Sequence, residues 1–233
     1  TPTFFLFFIT VISIFYLAKK KHKKIILVAS SYAFYSFWDW RFLFLILIST
    51  FVDYFIGNKI FKTNGNRFRK LYLSISIATN IGILGFFKYY NFFVESFANL
   101  LGYESTPFTL NIILPVGISF YTFQTLSYTI DIYNNKFRPA KSLLDFSNFV
   151  AFFPQLVAGP IERARYLLPQ IEDCKGANKK QIVSGLILLF FGYVKKVLIS
   201  DNIAPIIDTY FKNFTELDSI YLLSALLLFS IQI

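Results

Sequence analysis

Residues 148–170 read NFVAFFPQLVAGPIERARYLLPQ, and this stretch decides how the rest of the chain is read. It lies among apolar segments long enough to cross a bilayer, yet it cannot cross one as a straight helix. Pro154 withholds a backbone donor and crowds the preceding turn. Gly159-Pro160 interrupts the backbone again a few residues later, and Glu162, Arg163 and Arg165 follow at once. Charge at bilayer depth is costly unless paired or wetted. Broken backbone is tolerated there only where protein buries it or water reaches it. Two readings remain open. One is a bent, re-entrant segment lining a polar cavity; the other is a short amphipathic helix lying flat at the interface, with Arg163 and Arg165 toward phosphates.

Outward from that stretch the chain is built for lipid. It is 55% hydrophobic, with a mean hydropathy of +0.55, above the roughly 45–50% apolar share of soluble domains. Thirty-one Phe and fifteen Tyr suit lipid-facing surfaces and interfacial belts. A net charge of +10 would suggest nucleic acid in a soluble protein. Here the basic residues cluster between apolar runs, so membrane orientation and anionic lipid explain them, and no nucleic-acid partner is expected. The single cysteine, Cys174, rules out an internal disulfide and a cysteine metal cluster. No metal-ligand spacing, glycine-rich phosphate loop or Ser-His-Asp set is present, which leaves hydride and phosphoryl transfer unsupported.

The hydrophobic pattern predicts an all-α polytopic membrane protein with six to seven membrane helices plus the Pro/Gly-broken segment. The apolar runs cover residues 3–18, 25–37, 42–56, 71–87, 112–130, 181–194 and 219–233, the sixth resuming over 197–199. The run KKKHKK at 19–24 belongs on the cytoplasmic side by its lysines, which places the N-terminus outside. A second basic loop follows around Asn64-Gly65-Asn66, a turn composition. Trp38-Asp39-Trp40-Arg41 reads as an outer aromatic belt, 89–110 as an interfacial helix and loop, and 205–218 as a connecting segment. His22, the only histidine, sits among lysines with no carboxylate to orient it, so it reads as a solvated loop residue. Asp53 cannot face lipid; it points into the bundle or marks where its helix leaves the hydrocarbon. Ser119, Thr122 and Gln124 are either hydroxyl and amide glue between helices or the wall of a polar tunnel. Lys195 and Lys196 either snorkel to headgroups or face a cavity and hold Asp201. With no methionine and an apolar run at its end, the sequence is expected to be an N-terminal part, residues 1–233, of one longer domain.

The motif FFPQLVAGPIER resembles the signature of the membrane-bound O-acyltransferase family, in the branch of the alginate and peptidoglycan O-acetyltransferases. Three further blocks are similar to that branch and occur in the family's order: SFWDWRFLFLILISTFVDYFIG at 36–57, LPVGISFYTFQTLSYTIDIY at 114–133 and GLILLFFGYVKKVLISDNIAP at 185–205. The resemblance implies transfer of an acyl group, foremost acetyl, toward an extracytoplasmic polysaccharide by a multi-pass protein of the bacterial inner membrane. It implies acetyl-CoA or another acyl thioester as donor and no bound cofactor. The implied partners are membrane lipid, the thioester donor, and an extracytoplasmic acetyltransferase or polysaccharide. The family's catalytic histidine lies further along the chain, so no catalytic residue is expected here. From the matching motifs, Gln155 and Arg163 are expected next to substrate, with Lys195 and Lys196 toward the donor's phosphates. Pro154, Gly159 and Pro160 are expected to shape the cavity backbone, and Gln124 its wall. Two other classes compete. A transporter or flippase half would predict a second, internally similar half, and the chain shows no repeat. A non-catalytic scaffold would only recruit a cell-wall enzyme.

Overall fold

The computed structural model describes residues 2–102, 109–157, 159–213 and 218–232. These residues form helices and no strand, as the pattern predicts, and the chain divides into two compact units, Thr1–Lys175 and Gly176–Ile233.

The first unit opens with α1 (Pro2–Leu17), α2 (Lys20–Asp39), a 3-10 turn (Trp40–Phe42) and α3 (Leu43–Lys62). With 20 residues each, α2 and α3 are about 30 Å long, the thickness of a bilayer's hydrocarbon core. The Asp39 side chain accepts the Arg41 N–H at 3.0 Å and pairs with its guanidinium at 2.6 Å, closing the turn between them. The chain reverses there. Lys24 near the start of α2 pairs with Asp145 at 2.5 Å, while the Tyr54 ring, well along α3, lies 6.2 Å from the neighbouring Phe146 ring. Two points far apart in sequence thus meet the same short helix. Trp38 and Trp40 stay exposed beside the turn, as an aromatic belt requires.

Next come α4 (Asn66–Leu84), a π turn (Gly85–Tyr89) and α5 (Tyr90–Leu100), one continuous helical run. The basic loop around Asn64–Asn66 is the connection into α4, and the helix expected near residue 89 is α5. Residues 103–108, part of the loop expected after it, lie outside the described residues. The helix α6 (Ile118–Tyr133) differs from the expected span over 112–130. Its first turn begins only after Pro115 and Gly117, because Gly117 takes φ 74°, a left-handed conformation that cannot sit inside a helix. The core is the junction of α3, α4 and α6, with Ile46, Ile60, Tyr121, Tyr128 and Ile132 buried in it. Beyond it follow α7 (Leu143–Val150), α8 (Phe153–Leu156) and α9 (Ala164–Asp173).

The second unit starts with α10 (Lys179–Val194), whose N-terminus carries a reciprocal cap between Asn178 and Gln181. A π turn (Lys195–Ser200), α11 (Asp201–Lys212) and α12 (Ser219–Gln232) follow. The connecting segment expected over 205–218 is therefore helical through Lys212. Pro205 is carried inside α11, and Ile203, Ile206, Ile207, Tyr210 and Phe211 recur at helical spacing. That stripe packs on α12, with Phe211 against Phe229 at 5.8 Å and Tyr210 against Tyr221 at 6.4 Å. No residue of α10 is buried, and an apolar helix exposed all round belongs in lipid. Among the described residues, three helical runs are long and apolar enough to cross a membrane: Lys20–Lys62, Asn66–Leu100 and Lys179–Lys212. The first of these folds back at residue 40, between α2 and α3.

Candidate functional site: a broken segment clamped between two helices

The Pro/Gly stretch is broken and partly buried, and part of it is a surface helix. Residues 143–157 form two short helices with irregular backbone between them, and residues 159–163 are irregular. Phe149, Val150, Ala151, Phe153 and Leu156 are buried. Past the breaks, α9 is amphipathic, seating Ala164, Leu168 and Ile171 on the core while Tyr166 faces out. The broken backbone of the first reading and the amphipathic helix of the second thus occur in succession along the stretch.

Buried backbone outside a helix must find partners for its polar groups; some are local, and two come from distant elements. Gln124 on α6 donates its amide to the Phe149 carbonyl at 2.8 Å. The Ser31 hydroxyl on α2 accepts the Phe153 N–H at 3.2 Å, the donor that opens α8 just before Pro154. Asn148 donates to the Lys24 carbonyl at 2.9 Å. At the entry, Ser142 caps α7 by accepting the Asp145 N–H at 3.1 Å, and Asp145 meets Lys24. The Tyr35 hydroxyl donates to the Val116 carbonyl at 3.1 Å, fixing the approach to Gly117. A β-carbon at Gly117 would stand 2.6 Å from the Leu156 carbonyl oxygen, so α6 begins directly against the broken segment.

The expected site residues fall as follows. Gln155 is buried within α8, and Pro154 beside it is exposed. The Gly159 N–H returns to the Gln155 carbonyl at 2.9 Å, and a β-carbon on Gly159 would meet the Gln155 Cα at 2.6 Å. The glycine is therefore what lets the chain fold back over Gln155. Pro160 and Arg163 are exposed, and Arg163 supplies the extended residue before α9. Gln124, Pro154, Gln155, Gly159, Pro160 and Arg163 all belong to this one region of the first unit. Lys195 and Lys196 belong to the second unit. They line a cavity of about 420 Å³ with Gly192, Ile199, Ser200, Ile231 and Gln232, and Lys196 pairs with Asp201.

Near the end of the stretch, Lys141 lies 2.9 Å from Glu172, and that hydrogen bond holds the ammonium above its ordinary range. Cys174 follows α9 as a buried thiol that burial pushes up, with Lys24 and Lys23 opposing. His22 is exposed in the first turn of α2. Asp53 does point into the bundle, where Ser76 and Asn80 hydrogen-bond it. Sequence reasoning passed over Ser31 and Tyr35, whose roles depend on partners far along the chain. Gly117 carried a signal, as a glycine just ahead of a polar helical run.

The profile of MBOAT, the membrane-bound O-acyltransferase family, matches residues 79–232, about two thirds of the chain. Among curated proteins, the chain is 35% identical over 210 residues to a probable alginate O-acetylase AlgI of Azotobacter vinelandii, covering 89% of this chain and 42% of that one. It is likewise 35% identical over 236 residues to a peptidoglycan O-acetyltransferase of Helicobacter pylori, covering 90% of this chain and 44% of the relative. The AlgI of Pseudomonas aeruginosa is 35% identical over 210 residues, at 89% and 40% coverage. The chain therefore spans about two fifths of the length of the curated relatives it matches. No solved structure matches it. With the family profile over most of its length and multiple apolar helices, this multi-pass membrane chain belongs to the membrane-bound O-acyltransferase family.

Proposed function

We propose that this chain forms the scaffold and part of the donor passage of a membrane O-acetyltransferase. The enzyme moves an acetyl group from acetyl-CoA, or another acyl thioester, toward a polysaccharide outside the bacterial inner membrane. The N-terminus faces outward, since the lysines of residues 19–24 and the basic loop before α4 sit together on the cytoplasmic side. The observation that carries the reading is the family's Pro/Gly motif as broken backbone tied to α2 and α6, with Gln155 buried inside it.

Acyl transfer to a hydroxyl needs a base for the acceptor and donors for the developing oxyanion. His22, exposed among lysines, is not placed for that work, and the base is assigned to the parent protein outside these residues. This chain's own groups bind and orient. The Gln155 amide can donate and accept, and Arg163 offers a planar fork suited to a phosphate or carboxylate of the donor. In the second unit, Lys195 and Lys196 line their own cavity as point charges suited to phosphate. Gln124, Pro154, Gly159 and Pro160 hold the backbone around the passage. An extracytoplasmic acetyltransferase or the polysaccharide itself receives the acetyl group.

The test uses the full-length protein in cells that acetylate their surface polysaccharide. Arg163→Ala abolishes O-acetylation while membrane insertion and protein level stay normal, and Arg163→Lys does not restore it, since an ammonium lacks the fork. Normal acetylation by the alanine variant overturns the assignment.

A further inference from the structure

One carboxylate lies in the middle of the first unit with no cation beside it. Asp53 on α3 is fully buried, and the partners of its oxygens among the described residues are neutral. The Ser76 hydroxyl on α4 donates to Oδ1 at 2.6 Å, and the Asn80 amide donates to Oδ2 at 2.7 Å. The Asn80 orientation is fixed from the other side, because Thr125 on α6 donates to its Oδ1 at 3.1 Å. Ser76 Oγ also lies 3.1 Å from Thr129 Oγ1, and the Thr129 hydroxyl reaches the Leu126 carbonyl at 3.1 Å. The titratable groups around Asp53 are Tyr54 on its own helix and Tyr128 on α6, whose oxygen already accepts the Ala140 N–H at 3.2 Å. On α4 the groups facing it are the neutral Ser76 and Asn80. On α7, Asp145 is engaged by Lys24.

An isolated ion in an apolar interior neutralises rather than persists. An ionisable residue within a membrane bundle marks a route for protons, ions or substrate. The geometry here distinguishes between its two oxygens. Asn80 can only donate to Oδ2 through its N–H, so Oδ2 is always an acceptor. Oδ1 faces a hydroxyl, which can donate or accept.

We propose that Asp53 is a proton-binding site, taking up and releasing one proton at Oδ1 inside the α3–α4–α6 junction. On uptake, the new O–H donates to Ser76 Oγ, and the Ser76 hydroxyl turns to donate to Thr129 Oγ1. Thr129 keeps its own donation to the Leu126 carbonyl. On release, the Ser76 hydroxyl turns back to Oδ1. Both states use the same heavy-atom positions, so the exchange needs only hydroxyl rotation. A second observation gives the site a direction. Ser49 Oγ, one turn before Asp53 on α3, and Thr122 Oγ1, one turn before Thr125 on α6, are buried hydroxyls without a hydrogen-bond partner among the described residues. Beyond them Lys88 donates to Ser119 Oγ at 3.1 Å, at the end of α6 that is partly open. The hydroxyls of Ser119, Thr122, Thr125 and Thr129 thus run along α6 past the carboxyl.

Infrared spectra of the protein in lipid nanodiscs, titrated over pH, test the proposal. The carboxylic-acid C=O component present in the parent and lost in Asp53→Asn should grow as pH falls. In Ser76→Ala the midpoint of that component should move, because the carboxyl loses its hydroxyl partner. A band unchanged across the whole titration would make Asp53 a fixed neutral acid and overturn the proposal. A carboxylate signature that responds to sodium and not to pH would overturn it in favour of a metal cation. Should Asp53→Asn fail to fold, Ser76→Ala carries the test alone, and an unmoved midpoint refutes it.

Discussion

Gly117 stands against the Leu156 carbonyl so closely that a β-carbon there would approach the oxygen to 2.6 Å. The same glycine has φ 74°, so two separate constraints act at one position. Gly117→Ala adds the left-handed penalty for an L-residue to the cost of forcing α6 away from α8. Together these come to about 2–4 kcal/mol. Thermal unfolding of the purified protein in detergent should show a clearly lowered midpoint; an unchanged one would mean that the two elements do not meet as described.

Ser31→Ala removes the acceptor of the Phe153 N–H, a donor buried just ahead of Pro154. Leaving that donor unpaired costs about 1–3 kcal/mol. The local consequence is the sharper readout, since amides of residues 151–157 should exchange with deuterium faster while those of α3 and α4 do not. Equal exchange in the variant and the parent would remove Ser31 from the clamp.

Asn80→Leu keeps the side-chain volume close to that of the parent and takes away the donor to Asp53 Oδ2. It also removes one of the two acceptors of the Thr125 hydroxyl, leaving the Thr122 carbonyl at 3.1 Å. A loss of about 1–3 kcal/mol is expected for each buried group left unmade. Asp53→Asn combined with Asn80→Leu should lose less than the sum of the two single changes, because the residues act as one unit. Strict additivity in a double-mutant cycle would contradict the coupling.

Cys174 is the one thiol in the chain and is buried after α9. Burial pushes it up, and the lysines at 23 and 24 only partly offset this. The thiolate is the reactive species, so labelling by a maleimide at neutral pH should be slow in the folded protein. It should accelerate as pH rises and as denaturant exposes the segment. Rapid labelling at neutral pH in native protein would show the thiol to be open.

How much of this was legible in the sequence depends on how local each cause is. Pro154 and Gly159-Pro160 announce a broken segment because proline and glycine act on their own backbone. The basic clusters announce loops, and the acid at 53 announces an inward face, for equally local reasons. Ser31 announces nothing: its partner is Phe153, and no pattern around residue 31 points there. Gln124 was legible as a polar residue in an apolar run, but not as the donor to the Phe149 carbonyl. Two expectations fail for opposite reasons. The connecting segment from Pro205 weights one proline above a period, although Ile203, Ile206, Ile207, Tyr210 and Phe211 continue a stripe through it. The span from Ile112 weights an apolar run above Pro115 and Gly117, which postpone α6.

The π turn at Gly85–Tyr89 carries one further implication. A π turn holds an extra residue relative to an ordinary ladder, so everything after it is rotated about the helix axis. Excising one residue from that turn would wind α5 back by about 100°. Phe93 and Phe97 would then face a different quarter of the surroundings, and Asn91 would lose its two bonds to the backbone of Leu110. The aim of α5 is thus encoded in a count of residues rather than in the identity of any of them.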